Sequence, residues 1–375
     1  MGLKQYKLEE LIELVENTNS QGLYGPEDVR GINNQKEMMK SKADLNGRDL
    51  TKFQIVKQGE FVFNHRTSRN GSKFSITYNI DTNPHIFTED YVVFRIKENC
   101  SNIILKEWLY MYFCRPEFDR YVITNSWGSS TEFFNWSDLC DVTISLPSID
   151  QQRRFVNVYL SLQANLEAYQ SKTDDLKLVC DAYIDRIKTK IKKAKIGELL
   201  TEVDCRNVDL AIKSVSGINI DKEFMDSVAD TNGLDLKKYK VVHEKEFAFS
   251  GMQTGRDESI RIALNSDSNP KIVSPAYTVF KVCTGKVLEQ YIMLWFFRKE
   301  MDRYGWFASD GSIRSNLDIE RFNEIEIPLP NVSIQKNIVD IFSCYIERKR
   351  IAAKLKQTLN ELCPILIRGS LQTTN

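Results

Sequence analysis

The sequence predicts an α+β protein made of two copies of one mixed α/β globular domain, each followed by a long helix. Short motifs recur in the same order in both halves of the 375-residue chain, and each half closes with an apolar pattern at helical spacing. We expect the two long helices to separate the globular domains and to form an antiparallel coiled coil, with pseudo-two-fold symmetry.

Matched motifs at a constant spacing indicate the internal repeat. The segment Gly59–Asn64 (GEFVFN) corresponds to Lys245–Ser250 (KEFAFS), 186 residues later. After a three-residue deletion the spacing becomes 183, and four residues of the first half match four of the second: Arg115, Asp119, Arg120 and Tyr121 with Arg298, Asp302, Arg303 and Tyr304. Ordered matches with one length change predict a tandem duplication.

These motifs divide the chain into four segments. Residues 1–146 and 193–329 are the predicted globular domains, in which apolar β-type runs are separated by Gly, Asn and Asp turns. Residues 147–192 form the central spacer helix and residues 330–375 the distal one. Each helix follows a short apolar strand that ends in Pro147 or Pro330, and Ser148 with Gln151 forms a capping box.

Apolar and aromatic side chains at three- or four-residue spacing predict a helix seam along both long helices. These residues, candidates for coiled-coil pairing and partner docking, are Phe155, Tyr159, Leu162, Leu166, Tyr169, Leu176, Tyr183, Ile187, Ile338, Phe342, Tyr345, Leu355, Leu359, Leu362 and Leu366. The alternative is that each helix packs on its own globular domain.

Charge and composition exclude several classes of protein. Lys and Arg number 51, as do Asp and Glu, so the net charge is zero and a polybasic mode of binding is not expected. The globular segments are mildly acidic and the helical segments basic. The apolar run Tyr291–Phe297 is too short to span a bilayer, and eight scattered cysteines without C-x-x-C spacing are typical of a reduced, cytoplasmic protein.

The sequence lacks the common catalytic motifs. It contains no P-loop, no G-x-G-x-x-G, no G-x-S-x-G and no H-E-x-x-H. We therefore predict no catalytic residue and no metal site in this chain.

Polar loops at equivalent places in the two copies are the candidate binding residues. Arg, Lys, Asn, Gln, Ser and Thr are the side chains that read base edges in DNA. The candidates are Asn64, His65, Arg66, Thr67, Ser68, Arg69, Lys73, Ser129, Ser130, Thr131, Gln253, Thr254, Arg256, Ser312 and Arg314. The loops correspond in place but differ in residue identity, as expected if one scaffold presents two recognition surfaces; plain polar connections are the alternative.

The arrangement resembles the specificity subunit of type I restriction-modification systems. The resemblance covers essentially the whole chain and is carried by the Pro147–Gln152 and Pro330–Gln335 junctions, the strands that enter the polar loops, and the duplication. The family often has Glu-Gln at the helix start, where this chain has Gln151-Gln152 and Ile334-Gln335.

The resemblance implies two target-recognition domains, each of which reads one half of a bipartite site in double-stranded DNA. It also implies spacer helices that set the distance between the half-sites and dock two methyltransferase subunits, with restriction/translocase subunits added for cleavage. S-adenosylmethionine, ATP and Mg²⁺ are then expected in the partner subunits, with no cofactor in this chain and no membrane contact. Two alternatives remain: a catalytic DNA methyltransferase or nuclease, or a purely structural coiled-coil adaptor.

Overall fold

The described chain combines antiparallel strands with helices and belongs to the α+β class. The computed structural model describes residues 3–41, 43–45, 47–67, 73–128, 131–227, 233–252, 254–310 and 315–372. The chain divides into two compact units, and neither is a continuous stretch of sequence. Unit 1 comprises residues 1–168 and 351–375, and unit 2 comprises residues 169–350.

The described residues of unit 1 form ten strands. They are β1 (Lys4–Lys7), β2 (Ile12–Leu14), β3 (Arg30–Ile32), β4 (Met38–Lys40), β5 (Gln54–Val56), β6 (Phe61–Asn64), β7 (Ile76–Tyr78), β8 (His85–Phe87), β9 (Tyr91–Ile96) and β10 (Thr143–Leu146). The helices that begin in this unit are α1 (Leu8–Leu11), α2 (Lys106–Phe113), α3 (Pro116–Thr124), α4 (Trp136–Cys140) and α5 (Ile149–Gln170).

Unit 2 repeats this order of elements. Its first helices are α6 (Thr173–Ile187) and α7 (Ile196–Leu199). Its strands are β11 (Lys193–Lys195), β12 (Leu200–Val203), β13 (Ser216–Ile218), β14 (Phe224–Asp226), β15 (Lys240–Val242), β16 (Glu246–Ser250), β17 (Arg261–Leu264), β18 (Lys271–Val273), β19 (Thr278–Val282) and β20 (Glu326–Pro328). The remaining helices are α8 (Thr254–Asp257), α9 (Glu289–Phe296), α10 (Lys299–Ala308), α11 (Ile319–Asn323) and α12 (Val332–Leu371).

The sheets of the two units have the same strand order. In unit 1 a four-stranded antiparallel sheet runs β2-β9-β6-β7, and strand pairs β1-β10, β3-β4 and β5-β8 accompany it. In unit 2 the corresponding sheet runs β12-β19-β16-β17, with pairs β11-β20, β13-β14 and β15-β18. The chain therefore carries the same topology twice.

The central strands β6 and β16 have buried apolar side chains on both faces. Phe61 and Phe63 of β6 are fully buried, and the Phe61 ring stacks on Phe94 of β9 at 5.0 Å between centroids. In unit 2, Phe247 pairs with Phe280 at the same place in the sheet. The sheet core thus accounts for the repeated F-x-F pattern in the sequence.

The long helices are shared between the units. Helix α12 contributes residues 332–350 to unit 2 and residues 351–371 to unit 1. The central segment, predicted as one helix over 147–192, is interrupted at Ser171 and Lys172 and ends at Ile187. The Thr173 hydroxyl donates to the Tyr169 carbonyl at 2.7 Å, next to this break. In the described part of the chain, no helix has an apolar stretch that could cross a bilayer.

Candidate nucleic-acid interface

Main-chain hydrogen bonds hold the described start of the first polar loop, residues 64–73, at the end of β6. The backbone N–H of Phe134 donates to His65 O at 2.8 Å, and the N–H of Thr67 donates to Glu132 O at 3.0 Å. Trp127 and Phe133 exchange two backbone hydrogen bonds of 3.0 and 3.1 Å on the other side. Three adjacent chain segments therefore fix the entry to this loop in unit 1.

The side chains of this loop differ in how far they are exposed to a ligand. The Thr67 hydroxyl is buried and donates to the Glu132 carbonyl, so it supports the loop itself. Arg66 forms an ion pair of 2.8 Å with Asp90 and keeps about a third of its side chain exposed. Asn64 is half-buried and accepts a hydrogen bond from the Arg66 backbone N–H at 2.9 Å.

The His65 imidazole lies edge-on against the Phe133 ring, 5.2 Å between centroids. Burial lowers the pKa of His65, so this ring is neutral at pH 7. A neutral imidazole has one donor and one acceptor nitrogen, which suits base edges better than phosphate.

Of the other candidates in unit 1, Lys73 is exposed and Thr131 is half-buried. The predicted residues Ser68, Arg69, Ser129 and Ser130 lie outside the described residues.

The second polar loop, residues 250–256, is held by corresponding backbone hydrogen bonds in unit 2. The backbone N–H of Leu317 donates to Gly251 O at 2.9 Å, and the N–H of Gly255 donates to Ser315 O at 3.0 Å. A Cβ at residue 251 would lie 1.9 Å from the Leu317 carbonyl oxygen, so only glycine allows this approach of the two segments. The close approach of Leu317 therefore explains why residue 251 is glycine.

Of the second loop's candidates, Thr254 is buried, and its hydroxyl donates to the Gly251 carbonyl at 2.9 Å. Arg256 is exposed beside Asp257. Although partial burial raises the pKa of Asp257, hydrogen bonds from Arg256 and Arg261 outweigh it and hold that pKa below its usual value. The predicted residues Gln253, Ser312 and Arg314 lie outside the described residues.

Exposed residues of α3 and α10 were not among the predicted site residues. Arg120 and Tyr121 are exposed on α3, and Arg303 and Tyr304 are exposed on α10. The signal was present in the sequence, because these Arg-Tyr pairs recur at the 183-residue spacing. Each pair combines a cation with an exposed aromatic ring.

In unit 1 the helix seam joins α5 to the end of α12, running in opposite directions. Gln151 Nε2 donates to Gln372 O at 3.1 Å, and the Phe155 ring covers Gly369. Leu166, Leu359 and Leu366 are buried, whereas Phe155, Tyr159, Leu162, Leu355 and Leu362 are half-buried.

In unit 2, Ile338 and Phe342 of α12 are buried together with Cys180 and Ile184 of α6. Tyr169, Leu176, Ile187 and Tyr345 are half-buried. Tyr183, predicted in the seam, is 39% exposed, and Ile184 is fully buried instead. The apolar stripe in the sequence takes a three-residue step from the buried Cys180 to Tyr183, whereas the buried face takes a four-residue step to Ile184.

The long helices also pack on the globular part of their own unit. In unit 1 the Trp108 indole N–H donates to Ser370 Oγ at 3.0 Å, and Tyr159 packs near Tyr110. In unit 2 Arg298 is buried and its Nη2 lies 2.7 Å from Asp185 Oδ1.

Comparison with known proteins gave one family match, within the second half of the chain. Residues 234–361 match the family model described as "Type I restriction modification DNA specificity domain". The comparison with curated proteins gave no match. The resemblance to the type I restriction-modification specificity family is confirmed by the family match.

Solved structures share the fold. The crystal structure of a type I restriction-modification system S subunit from M. genitalium is 11% identical, with a TM-score of 0.65, and the match covers 100% of this chain and 97% of that chain. The HsdS subunit from Thermoanaerobacter tengcongensis matches 99% of this chain and 96% of that chain at 13% identity, with a TM-score of 0.37. At this identity the first likeness establishes a shared fold, and the second supports no argument.

Proposed function

Because residues 234–361 match a type I restriction-modification DNA specificity domain, we propose that this chain is the DNA-recognition subunit of a type I restriction-modification complex. Its role is non-catalytic: it chooses the DNA sequence, and its partners carry out the chemistry. Units 1 and 2 descend from a tandem duplication and act as two target-recognition domains, each reading one half of a bipartite site in double-stranded DNA.

The observation that carries this proposal is the repeated placement of two different polar loops. Both loops follow the corresponding strand, β6 or β16, and both are held by backbone hydrogen bonds to the segment that follows α3 or α10. The exposed side chains differ, with Arg66 and Lys73 in unit 1 and Arg256 in unit 2. Two units with the same strand order and different loop side chains suit two half-sites of different sequence.

The long helices act as an antiparallel coiled-coil spacer between the half-sites and as the dock for two methyltransferase subunits. Exposed apolar side chains support a docking role: Val158 and Leu160 on α5, and Leu178 and Val179 on α6. The methyltransferase subunits bind S-adenosylmethionine, and restriction/translocase subunits bring ATP and Mg²⁺ for cleavage.

The decisive experiment maps methylated bases in the genome of cells with and without this gene. A bipartite motif that is methylated only when the gene is present is the expected result. Unchanged methylation on deletion, in cells where methyltransferase partners are active, would contradict the proposal.

A further inference from the structure

The two most exposed large apolar side chains of the described residues lie one in each unit. Phe307 is 81% exposed and Trp127 is 73% exposed. Exposing a ring of this size to water is unfavourable, because an aromatic side chain has a large apolar area that burial would remove from solvent. Such a side chain suggests a contact that the isolated chain does not make.

Both rings lie beside the polar loop of their own unit. Trp127 pairs through its backbone with Phe133, which in turn forms a β-bridge with Arg66 of the first loop. Phe307 is in the last turn of α10, where Gly305 lies against Thr254 of the second loop. A Cβ at Gly305 would lie only 3.2 Å from Thr254 Cγ2, so the end of α10 and the loop are in direct contact.

The surroundings of the two rings are similar in composition. Exposed Arg120 and Tyr121 lie on α3, the helix just before Trp127, and exposed Arg303 and Tyr304 lie one turn before Phe307. An exposed aromatic ring beside a loop that carries arginine suits a ligand that combines phosphates with flat rings, and this combination is the chemistry of nucleic acid. Arginine and aromatic side chains are also enriched in protein interfaces, and the test below separates the two.

We infer that Trp127 and Phe307 each contact the bases of the half-site that their own unit reads. The inference rests on the proposed function and adds the residues through which apolar contact reaches the DNA. An aromatic ring at the rim of a polar loop stacks on a base or inserts at a base step, whereas the polar side chains bond to base edges. The main-chain pairing of Trp127 and the helical position of Phe307 fix the backbone from which each ring projects.

The test uses the full chain assembled with its methyltransferase partners. Methylated bases are first mapped in cells carrying the wild-type gene, which defines the two half-sites. Binding of the purified assembly to a duplex with that motif is then measured by fluorescence anisotropy for Trp127→Ala and Phe307→Ala. Loss of one stacked base predicts roughly 5- to 150-fold weaker binding.

A more specific measurement is how each variant changes the effect of single base substitutions on binding. Each variant is measured on duplexes substituted in one half-site or the other. We expect Trp127→Ala to lessen the effect of base substitutions in one half-site only, and Phe307→Ala to do so in the other. A loss of fold would instead weaken binding to all duplexes alike. Leu23→Ala and Val208→Ala, which truncate exposed side chains in units 1 and 2, are the matched controls and should bind as wild type.

Three outcomes overturn the inference. Wild-type affinity and coupling in both aromatic variants would overturn it while leaving the proposed function intact. Loss of methyltransferase subunits from the purified variant assembly, with DNA affinity retained by the assembled fraction, would assign the rings to a protein contact. No methylated motif with the wild-type gene would overturn both the inference and the proposed function.

Discussion

At the scale of the residue, two buried glutamines tie the long helices to the globular parts. Gln152 accepts a hydrogen bond from Leu105 N–H at 2.9 Å and donates to the carbonyls of Ile103 and Pro147. Gln335 makes the same three bonds in unit 2, to Leu288, Lys286 and Pro330. Both side chains are fully buried, which explains why a polar residue recurs at this junction.

Replacing Gln152 by alanine removes all three hydrogen bonds and leaves one buried N–H and two carbonyls without this partner. We expect the free energy of unfolding to fall by about 2–4 kcal/mol, since each unsatisfied buried group costs about 1–3 kcal/mol. Urea denaturation followed by circular dichroism measures this change. The neighbouring Gln151→Ala is the control, and an equal loss from both variants would contradict the assignment.

A buried ion pair also recurs in both units. Lys36, in the β3–β4 turn with a φ of 62°, lies 2.6 Å from Asp119 of α3, and Lys222 with a φ of 63° lies 2.7 Å from Asp302 of α10. In each case a lysine in the left-handed region anchors a hairpin to the corresponding helix, α3 or α10. The carboxylate also accepts a backbone N–H, from Phe74 or Ile260.

Lys36→Met leaves Asp119 buried without its cation, so we expect a loss of about 3–5 kcal/mol in the free energy of unfolding. The double variant Lys36→Met with Asp119→Asn removes both charges and should recover part of that loss. The comparison is made by urea denaturation of the three proteins. A double variant less stable than Lys36→Met alone would argue against an unpaired charge as the cause.

At the scale of the element, the step that follows Cys180 decides which residue of α6 is buried. Val156 and Leu166 are buried on α5, and Cys180 and Ile184 are buried on α6. The apolar stripe in the sequence takes a three-residue step from Cys180 to Tyr183, whereas the buried face takes a four-residue step to Ile184. Because one residue turns a helix by about 100°, this difference moves the side chain off the buried face.

Ile184→Ala should therefore lower the free energy of unfolding by about 2–5 kcal/mol, as expected for truncating a fully buried isoleucine. Tyr183→Ala removes an exposed ring and should cost less than about 1 kcal/mol. The two neighbouring variants control for each other in the same denaturation experiment. A larger loss from Tyr183→Ala than from Ile184→Ala would instead place Tyr183 on the buried face.

At the scale of the whole molecule, each unit draws its helices from distant parts of the chain. Unit 1 combines residues 1–168 with residues 351–375, and the bond from Trp108 to Ser370 joins its globular part to the end of α12. An exchange of the first globular domain therefore also has to preserve its contacts with the C-terminal segment.

Replacing residues 1–146 with those of another family member should change one half of the methylated motif and leave the other half and the spacing unchanged. The physical reason is that the recognition loop of unit 2 contains no residue of the exchanged segment. Mapping methylated bases in cells that express the hybrid measures the outcome, with Trp108 retained in the donor segment. Changes in both halves would show that the units do not read independently.

The sequence by itself determined the duplicated α+β plan, the two polar loops and the glutamine junctions. These features depend on local periodicity, turn residues and repetition, all of which are visible along the chain. Only the tertiary structure decided that Thr67 and Thr254 are buried, that Ile184 replaces Tyr183 on the buried face, and that exposed aromatic rings flank both loops. Burial depends on what packs against a side chain from distant parts of the chain, and residue type alone does not specify those neighbours.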